Sequence, residues 1–169
     1  MEGRVEELFH VVDLMTETER IMRDYYSVGS RLFPEFHDLF NSLSQEEEQH
    51  AKLFEEIRQG IEENSQDWEL GNFSAKTIEV CNHNLRKNLS EIEEGAVSPI
   101  YALTFICSVE QSLIERHAGH ALRCSDDECR KKLDIITSGF DGHYRRLQKI
   151  LDKHFPYGAF REASSDHPV

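Results

Sequence analysis

Taken at every third then fourth residue, the stretch around position 50 reads Phe40, Leu43, Glu47, His50, Phe54, Ile57, Ile61. This is the apolar seam of an amphipathic helix, interrupted at its middle by one carboxylate and one imidazole. A Glu and a His aimed into a helical core must be hydrogen-bonded, protonated or bound to a further group, because an unpaired buried charge costs several kcal/mol. Glu47-x-x-His50 is a weak signal by itself, since both residues are common on helix surfaces. The rest of the chain has to supply its partners.

Three more seams of the same kind do so. Residues 3–31 contain no proline and place Val12, Met15, Glu19, Met22, Tyr26 and Gly29 on one stripe, with Glu17 nearly opposite and solvated. Leu32-Phe33-Pro34 makes a turn, with Pro34 suited to the first position of the second helix, which runs to about Gly60. Asn64, Ser65, Asp67 and Gly71 mark 61–71 as a connector. Ser74 suits the cap of a shorter helix over 75–94 that crosses the bundle, with Ile78, Leu85, Leu89 and Ile92 as its apolar face and Gly95 at its end. Ser98-Pro99 opens a third long helix whose seam is Leu103, Ile106, Glu110, Leu113, His117, His120. A polar turn, with Ser125 as its cap, leads to a fourth helix with the seam Leu133, Ile136, Phe140, His143, Leu147, Ile150, ending near His154.

The charged fraction of 30% with only four prolines favours long helices over sheet, and 169 residues fit one domain, here 1–157 followed by a tail over 158–169. The formal net charge of −13 argues against nucleic acid and against anionic membrane surfaces as partners, both of which call for basic patches. No run approaches a membrane span, and MEGRVEELFH has no hydrophobic signal region, so a cytoplasmic location is expected. Cys81, Cys107, Cys124 and Cys129 form no Cys-x-x-Cys pair, which rules out local zinc-ribbon or rubredoxin-type sites. They read as free thiols, with a Cys124–Cys129 disulfide or metal pair as the lesser alternative.

Two helical hairpins, 3–60 and 99–154, are thus joined by a crossover over 61–98, and they resemble an internal duplication. Glu19 maps onto Glu110 by a shift of 91 residues and His50 onto His143 by 93. Heights agree as well, since a helix rises about 1.5 Å per residue. Glu19 and Glu47 lie equally far from a first turn near Phe33, and Glu110, Phe140 and His143 lie at similar distances from a second turn near Ser125. Antiparallel packing therefore gathers Glu19, Glu47, His50, Glu110 and His143 in one slab of the core.

On these residues the sequence resembles the ferritin-like di-iron carboxylate proteins, and among them the rubrerythrin-like group. The matching features are Glu19 with Tyr26 seven positions later, Glu47-x-x-His50-Ala-Lys-Leu-Phe, Glu110, and His143 followed by Leu147. The resemblance spans 3–154. It implies an all-α fold, a ferritin-like up-down four-helix bundle whose long crossover contains a short helix, with a Glu from each of two helices and a Glu-x-x-His from each of the others around two metal ions. It also implies a dimer or larger assembly, supported in sequence only by apolar residues such as Phe9 and Phe36 off the main seams. Rubrerythrins reduce peroxide with electrons often taken from a rubredoxin domain. No such domain is present in this sequence, so an external electron donor would be needed.

One position departs from the pattern. Where a second Glu-x-x-His is expected, the chain has Phe140-Asp-Gly-His143. Asp141 is no substitute, because one residue along a helix rotates the side chain by about 100°. The metal ligands are then Glu19, Glu47, His50, Glu110 and His143, with Tyr26, His117 and His120 as additional or supporting groups. Iron is the metal the resemblance implies, as one or two ions, while manganese and zinc suit the same donors. Three functions stay open: an iron oxidoreductase acting on peroxide or oxygen, a non-catalytic metal-binding protein for storage or sensing, and a degenerate bundle serving as an oligomerisation or interaction module.

Overall fold

The computed structural model describes residues 2–71, 74–115 and 121–155. Its helices are α1 (Glu2–Leu32), α2 (His37–Glu63), α3 (Ala75–Glu93), α4 (Pro99–Glu115) and α5 (Asp127–His154), and strands β1 (Trp68–Leu70) and β2 (Leu122–Cys124) form a small sheet. The fold is all-α apart from that sheet. No helix among the described residues is long and apolar enough to cross a membrane.

The interrupted seams are the buried faces. Val12, Met15, Met22 and Tyr26 of α1, Phe40, Leu43, Phe54, Ile57 and Ile61 of α2, Leu103, Ile106 and Leu113 of α4, and Leu133, Ile136, Phe140 and Leu147 of α5 join one core. Apolar side chains repeating at helical spacing are removed from water only if the helices lie side by side. Accordingly α1 packs along α2 and α4 along α5, and the two hairpins meet chiefly through α2 and α5. Tyr25 and Tyr26 of α1 reach α4, where Tyr25 donates to the Ala102 carbonyl at 3.2 Å.

Several local expectations are refined. Pro34 opens a short 3-10 turn over Pro34–Phe36 rather than α2 itself, whose first residue is His37. This follows from the missing amide of proline, which suits the start of any helical turn. Helix α2 continues to Glu63 instead of stopping near Gly60, because Ile61 still belongs to the buried seam. Ser74 stands at the cap position of α3 without a side-chain bond, whereas the cap of α5 is Asp126 and not Ser125. The Asp126 carboxylate accepts from the amides of Glu128 and Cys129 at 2.9 and 3.1 Å, while the Ser125 hydroxyl turns to Asp67.

Helix α3 lies against α1, and its buried face includes Asn82 and Asn88 as well as Ile78, Leu85 and Ile92. Asn82 earns its burial through bonds to α1, accepting from the Thr18 hydroxyl at 2.7 Å and donating to the Leu14 carbonyl at 3.1 Å. At its end Gly95 takes φ +68°, with its amide on the Ile92 carbonyl and the Ala96 amide on that of Glu91. That bond pattern needs a left-handed residue, which glycine supplies at least cost.

The sheet was not visible in the sequence. Trp68, Glu69 and Leu70 pair antiparallel with Cys124, Arg123 and Leu122, so that the crossover is tied to the turn before α5. Trp68 is buried beside Gly60 of α2 with the Cys129 sulfur close by, and the Arg4 guanidinium of α1 donates to the Trp68 and Ser65 carbonyls. No disulfide joins any two of the four cysteines. Phe36 is buried against His154 and Phe155, and Phe9 is half-buried with the Arg58 guanidinium over its ring. His117, His120 and the tail over 158–169 lie outside the described residues.

Candidate metal centre

The five polar residues from the apolar seams converge at mid-height of the four long helices. Glu19, Glu47 and Glu110 have no exposed surface, His143 is 1% exposed and His50 6%. Glu47 is the hub. Its Oε2 lies 2.9 Å from His50 Nδ1, and its Oε1 lies 3.0 Å from His143 Nδ1. His50 Nδ1 also stands 3.4 Å from Glu19 Oε2, and His143 Nδ1 stands 3.2 Å from Glu110 Oε1. The two imidazoles stack with centroids 5.3 Å apart and planes 25° from parallel. Tyr26, whose hydroxyl donates to Glu110 Oε1 at 2.7 Å, closes the far side.

These carboxylates are short of donors. Oε1 of Glu19 and Oε2 of Glu110 are buried without any hydrogen-bond partner among the described residues, and Oε2 of Glu19 and Oε1 of Glu47 have only the ion-pair approaches to the imidazoles at 3.4 and 3.0 Å. Buried polar atoms are otherwise almost always paired, and an orphaned carboxylate oxygen costs more than a neutral one. A cation supplies what the fold leaves out, since a positive ion can accept several lone pairs at once. Glu47, His50 and His143 each offer one ligand atom within 4.8 Å of the others, so this buried group could hold a metal ion.

Charge in the metal-free centre is arranged accordingly. Burial, reinforced by Glu47, holds Glu19 well above the ordinary carboxylate range. Burial also lifts Glu110 to about 7, in spite of the opposing hydrogen bond to His143. Glu47 would rise for the same reason, but the hydrogen bonds from His143 and His50 bring it down to about 2. Burial disfavours both imidazolium ions, yet the adjoining carboxylates carry His50 up to about 9 and His143 to about 11. Protons therefore stand in for positive charge where a metal ion would bring its own.

One participant was missed in the sequence. Glu46 Oε2 lies 3.2 Å from His143 Nε2, and Arg146 grips Glu46 through two bonds of 2.9 and 2.6 Å. Ser42 donates to the same carboxylate at 2.9 Å. A carboxylate on the distal nitrogen fixes an imidazole so that its other nitrogen faces the metal, and raises its basicity. Glu46→Gln is accordingly expected to weaken metal binding by about 10- to 100-fold with the helical content unchanged, as a competition titration against a chelating dye would measure. An unchanged affinity would show that packing alone orients His143.

Comparison with protein-family models, with curated proteins and with solved structures finds no match. The centre must be judged on its own geometry.

The correspondence between the two hairpins is uneven at His50. The shift of 93 residues that carries His50 onto His143 carries Glu46 onto Gly139, and Gly139 lies against the His50 ring. A Cβ there would stand 2.3 and 2.5 Å from His50 Cε1 and Nε2, so only glycine fits. The same shift carries Glu47 onto Phe140, whose buried ring meets His50 edge-on at 6.5 Å. Asp141 points away and pairs with Arg145 at 2.6 Å. The donors thus fit a metal ion but fall one carboxylate short of a symmetric two-ion set.

Proposed function

We propose that this protein is a ferritin-like, rubrerythrin-related metal-binding protein whose centre holds iron and reduces peroxide or oxygen with electrons from a separate donor. The observation that carries the reading is the set of three fully buried carboxylates, two of them with an oxygen that has no partner among the described residues, facing two imidazoles in a closed helical core. Nothing in the ordinary economy of a helical core calls for that set. Three acids at one level repel one another and resist ionisation without a cation, so a scaffold with no ligand would be better served by apolar residues.

Glu19, Glu47, His50, Glu110 and His143 would hold the ion, and nitrogen and carboxylate donors of this kind suit iron and manganese. Bound iron would supply Lewis acidity and one-electron redox chemistry. The chain's own residues keep water scarce, hold His143 through Glu46 and Arg146, and fix Glu110 through Tyr26. His50, next to Gly139, is the most exposed ligand and marks the side from which a small oxidant would approach.

The reading is tested by loading wild type and Glu47→Ala with ferrous iron under anaerobic conditions and following hydrogen peroxide consumption with a chemical reductant. Metal retained by wild type and lost in the variant, with turnover only in wild type, is the expected result. Iron held without turnover would leave a storage or sensing protein, for which the loss of the fourth carboxylate at Phe140 already speaks. An assembly of two copies would accompany any of these outcomes without distinguishing them.

A further inference from the structure

The centre contains two imidazoles but only three carboxylates, and its donors crowd around Glu47. We infer that it takes one divalent ion per chain, seated between Glu47, His50 and His143, and not a pair. The inference rests on the reading that the centre binds metal, and adds its stoichiometry and donor set.

Ligand atoms of those three residues all lie within 4.8 Å of one another. Donors about 2.1 Å from one ion on opposite sides stand about 4.2 Å apart, so slight inward movement closes the three on a single ion. Two histidines and one carboxylate are a sufficient set for a divalent transition metal with open positions. Glu19 and Glu110, flanking from either side at 3.4 and 3.2 Å from the two imidazole nitrogens, can complete it.

A second ion lacks what it would need. Paired ions are held about 3.5–4 Å apart by groups that reach both. Glu47 is available for that, but its counterpart in the second hairpin is the buried ring of Phe140. Three carboxylates against two divalent ions would leave a net positive charge in the core, and Glu46, the carboxylate beyond His143, is already gripped by Arg146. On the other flank Gly139 brings no donor at all.

The test is elemental analysis of metal per chain after anaerobic loading with manganese(II) and removal of unbound ion, on wild type and Phe140→Glu, together with electron paramagnetic resonance of the loaded wild type. About one ion per chain, with the hyperfine pattern of an isolated manganese, is expected. Phe140→Glu restores the missing carboxylate and should bring the content towards two ions with exchange coupling between them. Two coupled ions in wild type would overturn the inference while leaving the metal reading intact. No retained ion would overturn both. Should Phe140→Glu fail to fold, the wild-type stoichiometry and resonance spectrum still decide the matter.

Discussion

Saturating ferrous iron or manganese(II) is expected to raise the melting temperature of the protein by about 8 to 16 °C, and to leave that of Glu47→Gln unmoved. An ion at about a thousand times its dissociation constant stabilises the folded state by about 4 kcal/mol if it ignores the unfolded chain. In a domain of this length each kcal/mol is worth about 2 to 4 °C. Glu47 is the side chain to test because each of its oxygens faces a different imidazole. Its replacement also harms the metal-free protein, for it leaves His50 and His143 without their shared anion. Breaking a buried pair in this way costs about 3–5 kcal/mol. Calorimetry of both proteins with and without metal separates the two effects. An equal shift in both would place the ions on the acidic surface and not in the core.

The second large effect concerns pH. Metal affinity is expected to fall by about two to three orders of magnitude between pH 7.5 and 6.5, because ligands must shed protons before they bind. At neutral pH the metal-free centre carries protons on His50, with its pKa of about 9, and on His143 at about 11, while Glu110 titrates at about 7 and Glu19 is also raised. Isothermal titration in buffers of different ionisation enthalpy counts the protons released, about three per ion. An affinity flat over this range would sink the assignment of these groups as ligands.

The metal-free protein should respond in the opposite sense. His50 and His143 have folded pKa values above the unfolded 6.5, so their contribution is fully present below that value and is lost as pH rises through about 9 and 11. Glu110, raised from 4.5 to about 7, favours the folded state in acid and withdraws that support as pH rises through the same interval. Glu47, lowered to about 2, contributes above 4.5 and fails as pH falls towards 2. Together these place the best stability of the metal-free centre at mildly acidic pH, where metal binds more weakly than at neutral pH.

The sequence carried much of this because antiparallel helices of equal rise turn residue counts into heights. Counting outward from Phe33 and Ser125 was enough to bring Glu19, Glu47, His50, Glu110 and His143 to one level, and the structure gathers those five. Glu46 escaped notice because it sits one residue off the seam and reads as a solvated acid. Only its distance to His143 Nε2, set by the packing of α2 on α5, reveals it. Gly139 was equally silent, since a mid-helix glycine does not announce that an imidazole lies against it. Trp68 to Leu70 and Leu122 to Cys124 are too short for any alternation to show, and they pair across more than fifty residues of chain. Asn82 and Asn88 broke the apolar face expected of α3, where Thr18 and the Leu14 carbonyl await the first of them.

The way the two hairpins meet has a consequence for folding order. Helices α1 and α2 are neighbours in sequence and pack along their length, whereas α2 and α5 touch less extensively and are far apart in the chain. Local contacts form early, and distant ones must first overcome the entropy of closing the intervening loop. Glu19, Glu47 and His50 belong to one hairpin and Glu110 and His143 to the other, so an ion held by both would act as a reversible cross-link on the last contacts to form. It would slow separation of the hairpins without hastening the assembly of either.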